Sequence, residues 1–556
     1  MTDCTERHSA GPDNGHTGEG REGMPKAGPA MTDRTERHSA GPDNGHTGEG
    51  REGMAKPTRR AVLAGSVAVA ALTATGATAA VAAAPALAGT LGSDPIAHLL
   101  RRATFGPTPE SLAEARRLGV KGWLDRQLDP ARIDDKKCDA VLARLPLAGA
   151  DAAAVRAGLA KHSYEAFGQL GRAAIARAAW SNRQLFEQVV AFWSNHLHIA
   201  APSSGVWDTR AEYDRVVIRR HAFGRFADML KAGARHPAML TYLDQRSSTK
   251  AHPNENYARE LMELHTVGLV HREADVPAAA RLLTGMTVGS SGGYVYDASR
   301  HATGAVEILG FKHANKAAHG EAAALAFIDH LARHRATAER IARKLCVRFV
   351  ADEAPASLVA ELAEVYLDND TAIVPVLRAL FTSAEFAASV GQKTRTPFED
   401  AVASVRVLGL GPDASGVKSL DALYNTLVSA GNAPFRWSPP NGFPDVAAAW
   451  ASPAAFLLRC NLHLNLAAGW YPRQLSRPAD LLRSLVPVLP GTWGALVDAI
   501  ATRIVGARLP AAHTAAVLSV AGKVPTSPLT AKDRSLAGAA PYLIALVLDS
   551  PSFQLR

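Results

Sequence analysis

His252-Pro253-Asn254-Glu255-Asn256-Tyr257-Ala258-Arg259-Glu260-Leu261-Met262-Glu263-Leu264-His265 reads as a single α-helix. Asn254 is a capping residue type, and Glu255 behind it suits the positive end of a helix. Tyr257, Leu261 and Leu264 recur at helical spacing and give an apolar face. Asn256, Glu260 and Glu263 recur at i, i+4 and i+7, which puts them together on the neighbouring face. Arg259 stands four residues from both Glu255 and Glu263 and can pair with either. The same residues support a second use. Two carboxylates one turn apart, with an amide beside them, can bind a divalent cation or share acid and base work.

Outward from this stretch the chain stays helical. Between Trp180 and His198 the apolar residues Leu185, Phe186, Val189, Val190, Trp193 and Leu197 fall on one helical face. Asp94-Pro95 and Thr108-Pro109 each pair a capping side chain with a proline at the first helical position. The second of these helices is expected to stop near Gly119, with another from Gly122 to Leu128. Further helical patterns cover Phe223–Ala232, Asn256–His265, Pro277–Leu283, Glu321–Phe349, Pro355–Tyr366 and Ile373–Phe381. The Gly-rich stretch Gly285–Gly310 breaks the periodicity, and Tyr294–Tyr296 is expected to pair there with Val306–Ile308 as a small hairpin. Helices resume from Phe398, interrupted by the Pro/Gly/Trp-rich loop Pro434–Pro444. The fold class is therefore mainly α: a multi-helical array with a small β-hairpin insertion. No βαβ alternation, GxGxxG, P-loop or GxSxG is present, so nucleotide-binding and α/β-hydrolase readings lack their signals.

The first 53 residues are of another kind. Met1–Met24 returns as Met31–Met54 with one change, Cys4 against Arg34. Both copies are rich in Gly, His, Asp and Glu and almost devoid of large apolar residues, a composition that predicts disorder. Thr58-Arg59-Arg60-Ala61-Val62-Leu63-Ala64 then gives a twin-arginine pattern. A weakly apolar run follows to about Ala84, and Ala86-Leu87-Ala88 offers a cleavage site. The expected organisation is a disordered tandem segment (1–53), a twin-arginine signal peptide (54–88), a helical core with the motif (89–390) and a C-terminal helical region (391–556). The expected route is export through the twin-arginine translocase, with a secreted or extracytoplasmic destination.

Composition agrees with a soluble mature part, since 47% of residues are hydrophobic and 20% charged. The net charge of +9 gives a basic surface, which is either a solvated, Arg-rich face or one that attracts an anionic envelope component. No dense Lys/Arg run with interleaved aromatics occurs, which argues against nucleic-acid binding. The 4 cysteines form no CxxC pair, so neither a thiolate zinc site nor a disulfide framework is indicated.

Three more places carry candidate chemistry. Phe192-Trp193-Ser194-Asn195-His196 ends its helix with a histidine on the border of the buried face, either a satisfied core side chain or a ligand or general base. His236 opens His236-Pro237-Ala238-Met239-Leu240, whose later residues look like core. His301 follows the Gly-rich loop alone. No HExxH or paired ExxH pattern is present, so a divalent metal has only weak support.

These segments carry a family resemblance. His98-Leu99-Leu100-Arg101-Arg102-Ala103-Thr104-Phe105-Gly106-Pro107-Thr108, Phe192–His196, His236–Leu240 and Asn254–Leu264 resemble the bacterial family labelled domain of unknown function 1800. So do Leu283-Thr284-Gly285, Leu309-Gly310, Thr337-Ala338, Lys344-Leu345 and Arg348-Phe349. The resemblance spans about residues 95 to 470 and implies a helical exported protein of unestablished biochemistry. Relatives often have His-Asp after the Gly-rich loop, where this chain has His301-Ala302. Many have Gly-Trp in the late loop, where this chain has Gly442-Phe443.

Two functional classes fit. In the first, the protein is a hydrolase-like enzyme, metal-assisted or not, acting in the cell envelope or outside the cell. His196, Glu260 and Glu263 would be its catalytic groups, with Asn195, Asn254, Glu255, Asn256, Arg259, His236 and His301 binding substrate. In the second it is a non-catalytic envelope binding or assembly protein, and the same motif is a structural polar network. The discriminator is whether the motif carboxylates line a pocket.

Overall fold

The computed structural model describes residues 91, 92 and 94–556. The tandem copies, the twin-arginine pattern and the cleavage site at Ala88 lie outside the described residues. Within them the chain is mainly α-helical, with four short strands in two separate hairpins. Among the described residues no helix is long and apolar enough to cross a membrane.

The capping signals work as the sequence implies. Asp94 accepts from the backbone N–H of Ile96 at 2.9 Å and starts the helix Pro95–Ala103. Thr108 forms a reciprocal capping box with Ser111 and starts Pro109–Gln127. Gly119 interrupts that span as expected: at φ 70° and ψ 169° it is non-helical, and a second helical stretch follows it to Gln127. Glu321–Phe349, by contrast, is not the single helix its spacing implies but two, Glu321–Arg333 and Arg335–Phe349. His334 lies between them in extended backbone, and its Nδ1 accepts from Ala336 N at 3.1 Å, an N-cap that uniform apolar spacing conceals.

The expected pairing of Tyr294–Tyr296 with Val306–Ile308 does not occur. Strand β1 (Met286–Val288) pairs with β2 (Tyr294–Tyr296), and β3 (Val306–Ile308) pairs with β4 (Phe311–His313), both antiparallel. Each strand takes its nearest partner in sequence, which closes the shorter loop. Leu309 and Gly310 join β3 to β4 with φ 49° and 82°, the positive values that a tight two-residue hairpin turn requires.

Two hydrophobic cores organise the molecule. The first draws on residues between Leu99 and Phe386 and holds Trp123, Trp193, Phe226, Tyr257, Phe327 and Phe349. The second gathers residues from both ends of the described chain, including Leu91, Phe105, Val141, Val405, Trp493 and Leu543. The helix Glu165–Trp180 serves both, with Ala166 and Phe167 in the first core and Ala173, Ile175 and Ala176 in the second. The first helix is fastened across the chain as well. His98 Nε2 lies 2.8 Å from Phe386 O, and Arg102, fully buried, donates to Ser389 O at 2.5 Å. At Gly106 (φ 142°) an added Cβ would come within 3.1 Å of Ala403 Cα, so the Phe-Gly-Pro segment needs glycine for backbone to pass there.

Candidate functional site

The helix Gln184–His196 is the centre of the polar architecture. Its buried face packs Leu185, Val189 and Trp193, yet it also buries Glu187, Gln188 and His196. Its last residues separate two polar environments.

The first environment surrounds His196, which is 2% exposed. Its Nε2–H donates to His265 O at 3.0 Å, and its Nδ1 lies 3.0 Å from Lys344 Nζ. With Nδ1 accepting from an ammonium, the ring is neutral. Burial first, then Lys344, holds its pKa well below the ordinary histidine value. His265 is lowered to about 3 by burial, Lys344 and Arg340, and Lys344 to about 8 by burial and Arg340. A void lined by Leu197, Tyr257, Leu261 and His265 adjoins this cluster, too small for a ligand at about 10 Å³.

The second environment is a cavity of about 160 Å³. Phe105, Phe192, Phe398, Phe435 and Phe443 form apolar walls. Arg177, Glu187, Asp214, Arg219, Arg348, Glu399 and Asp445 bring charge to it. The loop through Phe443 lines it, and Asn195 holds that loop. Asn195 Nδ2 donates to Phe443 O at 2.8 Å, and its Oδ1 accepts from Phe443 N at 2.7 Å. Gly442 is obligatory beneath this clasp. Its φ is 74°, and an added Cβ would lie 2.1 Å from Asn195 O. Phe435 also sits at φ 67°, a costly conformation for an aromatic residue and a common companion of ligand sites.

Most charges around the cavity are paired. Glu187 takes both arms of Arg219, at 2.6 and 2.9 Å. Arg348 reaches Glu399 at 2.8 Å, Asp445 at 3.2 Å and Gln188 Oε1 at 2.5 Å. Arg556, at the C-terminus, reaches Glu399 at 2.9 Å, and Lys393 reaches Asp352 at 2.6 Å and Asp445 at 3.3 Å. Burial alone would raise the Asp445 carboxyl, but Arg348 and Lys393 hold it down to about 2. Sequence reading missed these residues because each is spaced far from its partners. The available signal was a charge set among apolar neighbours, as with Glu187 beside Leu185 and Val189, or Arg348 between Leu345 and Phe349.

The predicted site residues are dispersed. Asn254 caps its helix, accepting from Tyr257 N at 3.0 Å and donating to Leu243 O at 2.9 Å. Glu255 and Asn256 are exposed. The helix Glu255–Glu260 passes into a π-helical turn, Leu261–His265, so the i, i+4, i+7 spacing of a straight α-helix does not hold through Glu263. Glu263 meets His271 Nε2 at 3.4 Å and Arg259 at 3.6 Å. Arg259 makes its shorter contact, 2.6 Å, to Glu273, an exposed side chain 14 positions along the chain. Glu260 is half-buried and its carboxylate makes no hydrogen bond. Burial, then Glu263, raises its carboxyl. Neither Arg259 nor His196 pairs with Glu260, so the expected shared pocket of His196, Glu260 and Glu263 does not form. His196 touches that segment only through the carbonyl of His265.

His236 and His301 stand apart from both environments. His236 caps the helix Pro237–Tyr242, its Nδ1 accepting from Ala238 N at 3.1 Å. His301 lies 3.0 Å from Thr284 O and 2.9 Å from Asn315 Oδ1, fastening the hairpin region. Of the predicted residues, only Asn195 lines the cavity. Among the described residues no three His, Cys, Asp or Glu side chains stand together as a metal-holding group.

A family model described as "Protein of unknown function (DUF1800)" matches residues 98–555. No curated protein and no solved structure matches the chain. The chain belongs to the DUF1800 family.

Proposed function

We propose that this DUF1800 member is an exported binding protein of the cell envelope, whose working site is the cavity clasped by Asn195. The twin-arginine pattern at Arg59-Arg60 and the Ala86-Leu87-Ala88 site support export and cleavage after Ala88. The observation that carries the binding reading is the cavity itself. Its volume of about 160 Å³ suits one small molecule, and its walls combine aromatic faces with convergent charge. The Asn254–Leu264 motif then serves structure: a cap, an exposed ion pair and a π turn that delivers the His265 carbonyl to His196. An anionic envelope component remains a fitting partner for the basic surface.

The test is a thermal-shift screen of the purified protein against small metabolites. A ligand at a hundredfold excess over its Kd stabilises by about 2.7 kcal/mol. Ala191→Phe, which fills the cavity from its wall, should abolish the shift. If no compound stabilises the protein, or if Ala191→Phe leaves the shifts intact, the cavity is not the site. Export is tested separately: Arg59→Lys with Arg60→Lys should retain the protein in the cytoplasm.

One observation favours the hydrolase-like reading. Glu260 has no side-chain hydrogen-bond partner, and burial, then Glu263, raises its carboxyl, the direction that a general acid requires. Glu260→Gln would then abolish turnover of an envelope polymer and leave the fold intact. Unchanged turnover would remove this reading.

A further inference from the structure

Two charges in the cavity wall have no partner. Arg177, from the helix Glu165–Trp180, lines the cavity and makes no side-chain hydrogen bond or ion pair. Burial, then Arg219, lowers its pKa, and the carboxylates of Glu187 and Asp214 offset only part of that loss. Asp214, which opens the π-helical turn Asp214–Arg219, is 3% exposed and likewise makes no side-chain hydrogen bond or ion pair. The two sense each other electrostatically but are too far apart to pair. The neighbouring cations are engaged elsewhere: Arg219 with Glu187, Arg348 with Glu399 and Asp445, and Arg210, which senses Asp214 electrostatically, with Ile199 O and Ser194 Oγ. Asp214 is buried and Arg177 half-buried; a charge drawn from water without a hydrogen-bonded partner is costly, and a fold that keeps one of each sign facing a single cavity has left room for a bridging group.

We propose that Arg177 and Asp214 are the two recognition poles for a small zwitterion, an amino acid or a molecule of like size with one carboxylate and one ammonium. Arg177 offers a planar fork of donors that matches a carboxylate. Asp214 accepts from the ammonium. The phenylalanine walls take the apolar remainder. The size fits, because a cavity of about 150 Å³ holds a benzene ring. This inference rests on the cavity being the binding site and adds the charge pattern of what enters it.

Isothermal titration of the purified protein with four probes of one shape tests it. These are L-valine (both charges), isovalerate (carboxylate only), isobutylamine (ammonium only) and isobutanol (neither). L-valine should bind at least tenfold more tightly than the other three. Arg177→Gln should cut valine and isovalerate affinity tenfold or more and leave isobutylamine unchanged. Asp214→Asn should do the reverse. If Asp214→Asn fails to fold, Asp214→Glu replaces it and should weaken valine by displacing the carboxylate. Isobutanol binding as well as valine, with neither variant altering it, would overturn the zwitterion and leave the cavity reading standing. No binding of any probe, with Ala191→Phe as inert as the native chain, would overturn both.

Discussion

The two cores each bury a histidine, and they hold it in opposite states. His196, in the first, has Lys344 at 3.0 Å and is kept neutral. His463, near the second, lies between two carboxylates, with Nε2 2.9 Å from Asp400 and Nδ1 2.7 Å from Asp549. Burial alone would lower His463, but Asp400 and Asp549 outweigh it and hold it up at about 9. Burial is alike at 2% and 1% exposed, so the sign of the neighbouring charge decides the protonation state. One core therefore keeps a histidine proton out and the other keeps one in.

The harshest way to test what joins the two regions is to break the charge network between them. Arg348→Met leaves Glu399 and Asp445 short of a cation where Arg348 now holds both. Its expected cost is about 3–5 kcal/mol, measured by urea denaturation. A loss below about 1 kcal/mol would show that Arg556 and Lys393 suffice.

The histidine contrast has a pH signature. His463 has its folded pKa raised from 6.5 to about 9. Its contribution is fully present below pH 6.5 and is lost as the pH rises to about 9. A shift of that size corresponds to about 3 kcal/mol at most. His196 is lowered, so its contribution is present above pH 6.5 and is lost as the pH falls below it. The thermal midpoint should fall on both sides of neutrality. Asp549→Asn should flatten the alkaline limb and leave the acid limb unchanged. An alkaline limb that survives in that variant would break the comparison.

A smaller effect is expected at the clasp. Asn195→Ala removes both bonds to Phe443, costing about 1–2 kcal/mol, and should expose the loop from Pro434 to Asp445 to limited proteolysis. Gly442→Ala should open the same loop by collision with Asn195 O. The smallest effect belongs to the motif surface. Arg259→Ala should leave the thermal midpoint within error, because Glu273 is 77% exposed and water screens the pair. A clear drop there would restore importance to the motif's charged face.

How far the sequence reached varies from element to element. Local rules were enough for the caps at Asp94, Thr108 and Asn254, for the amphipathic face of Gln184–His196, and for the mainly α class with strands only near the Gly-rich stretch. Each depends on residues within a turn or two of one another, and periodicity records such relations directly. The family was also legible, because its motifs are continuous runs. Local rules failed where two conformations share a pattern. Straight helical spacing does not reveal the π turn at Leu261–His265 or the break at His334, and strand-forming residues do not name their partners.

The site was beyond the sequence for a different reason. Asn195 is separated from Phe443 by 248 positions, and Arg348 from Gln188 by 160. Nothing in the local spacing of a glutamate tells whether a distant arginine will meet it. The sequence determined which stretches become helices and how their termini are capped. Tertiary packing alone decided that Glu187, Arg177 and Asp214 face a cavity, that the conspicuous Glu255 and Asn256 face water, and that one buried histidine is neutral while the other is charged. Those outcomes depend on distance in space and on loss of water, and neither is written in the order of residues.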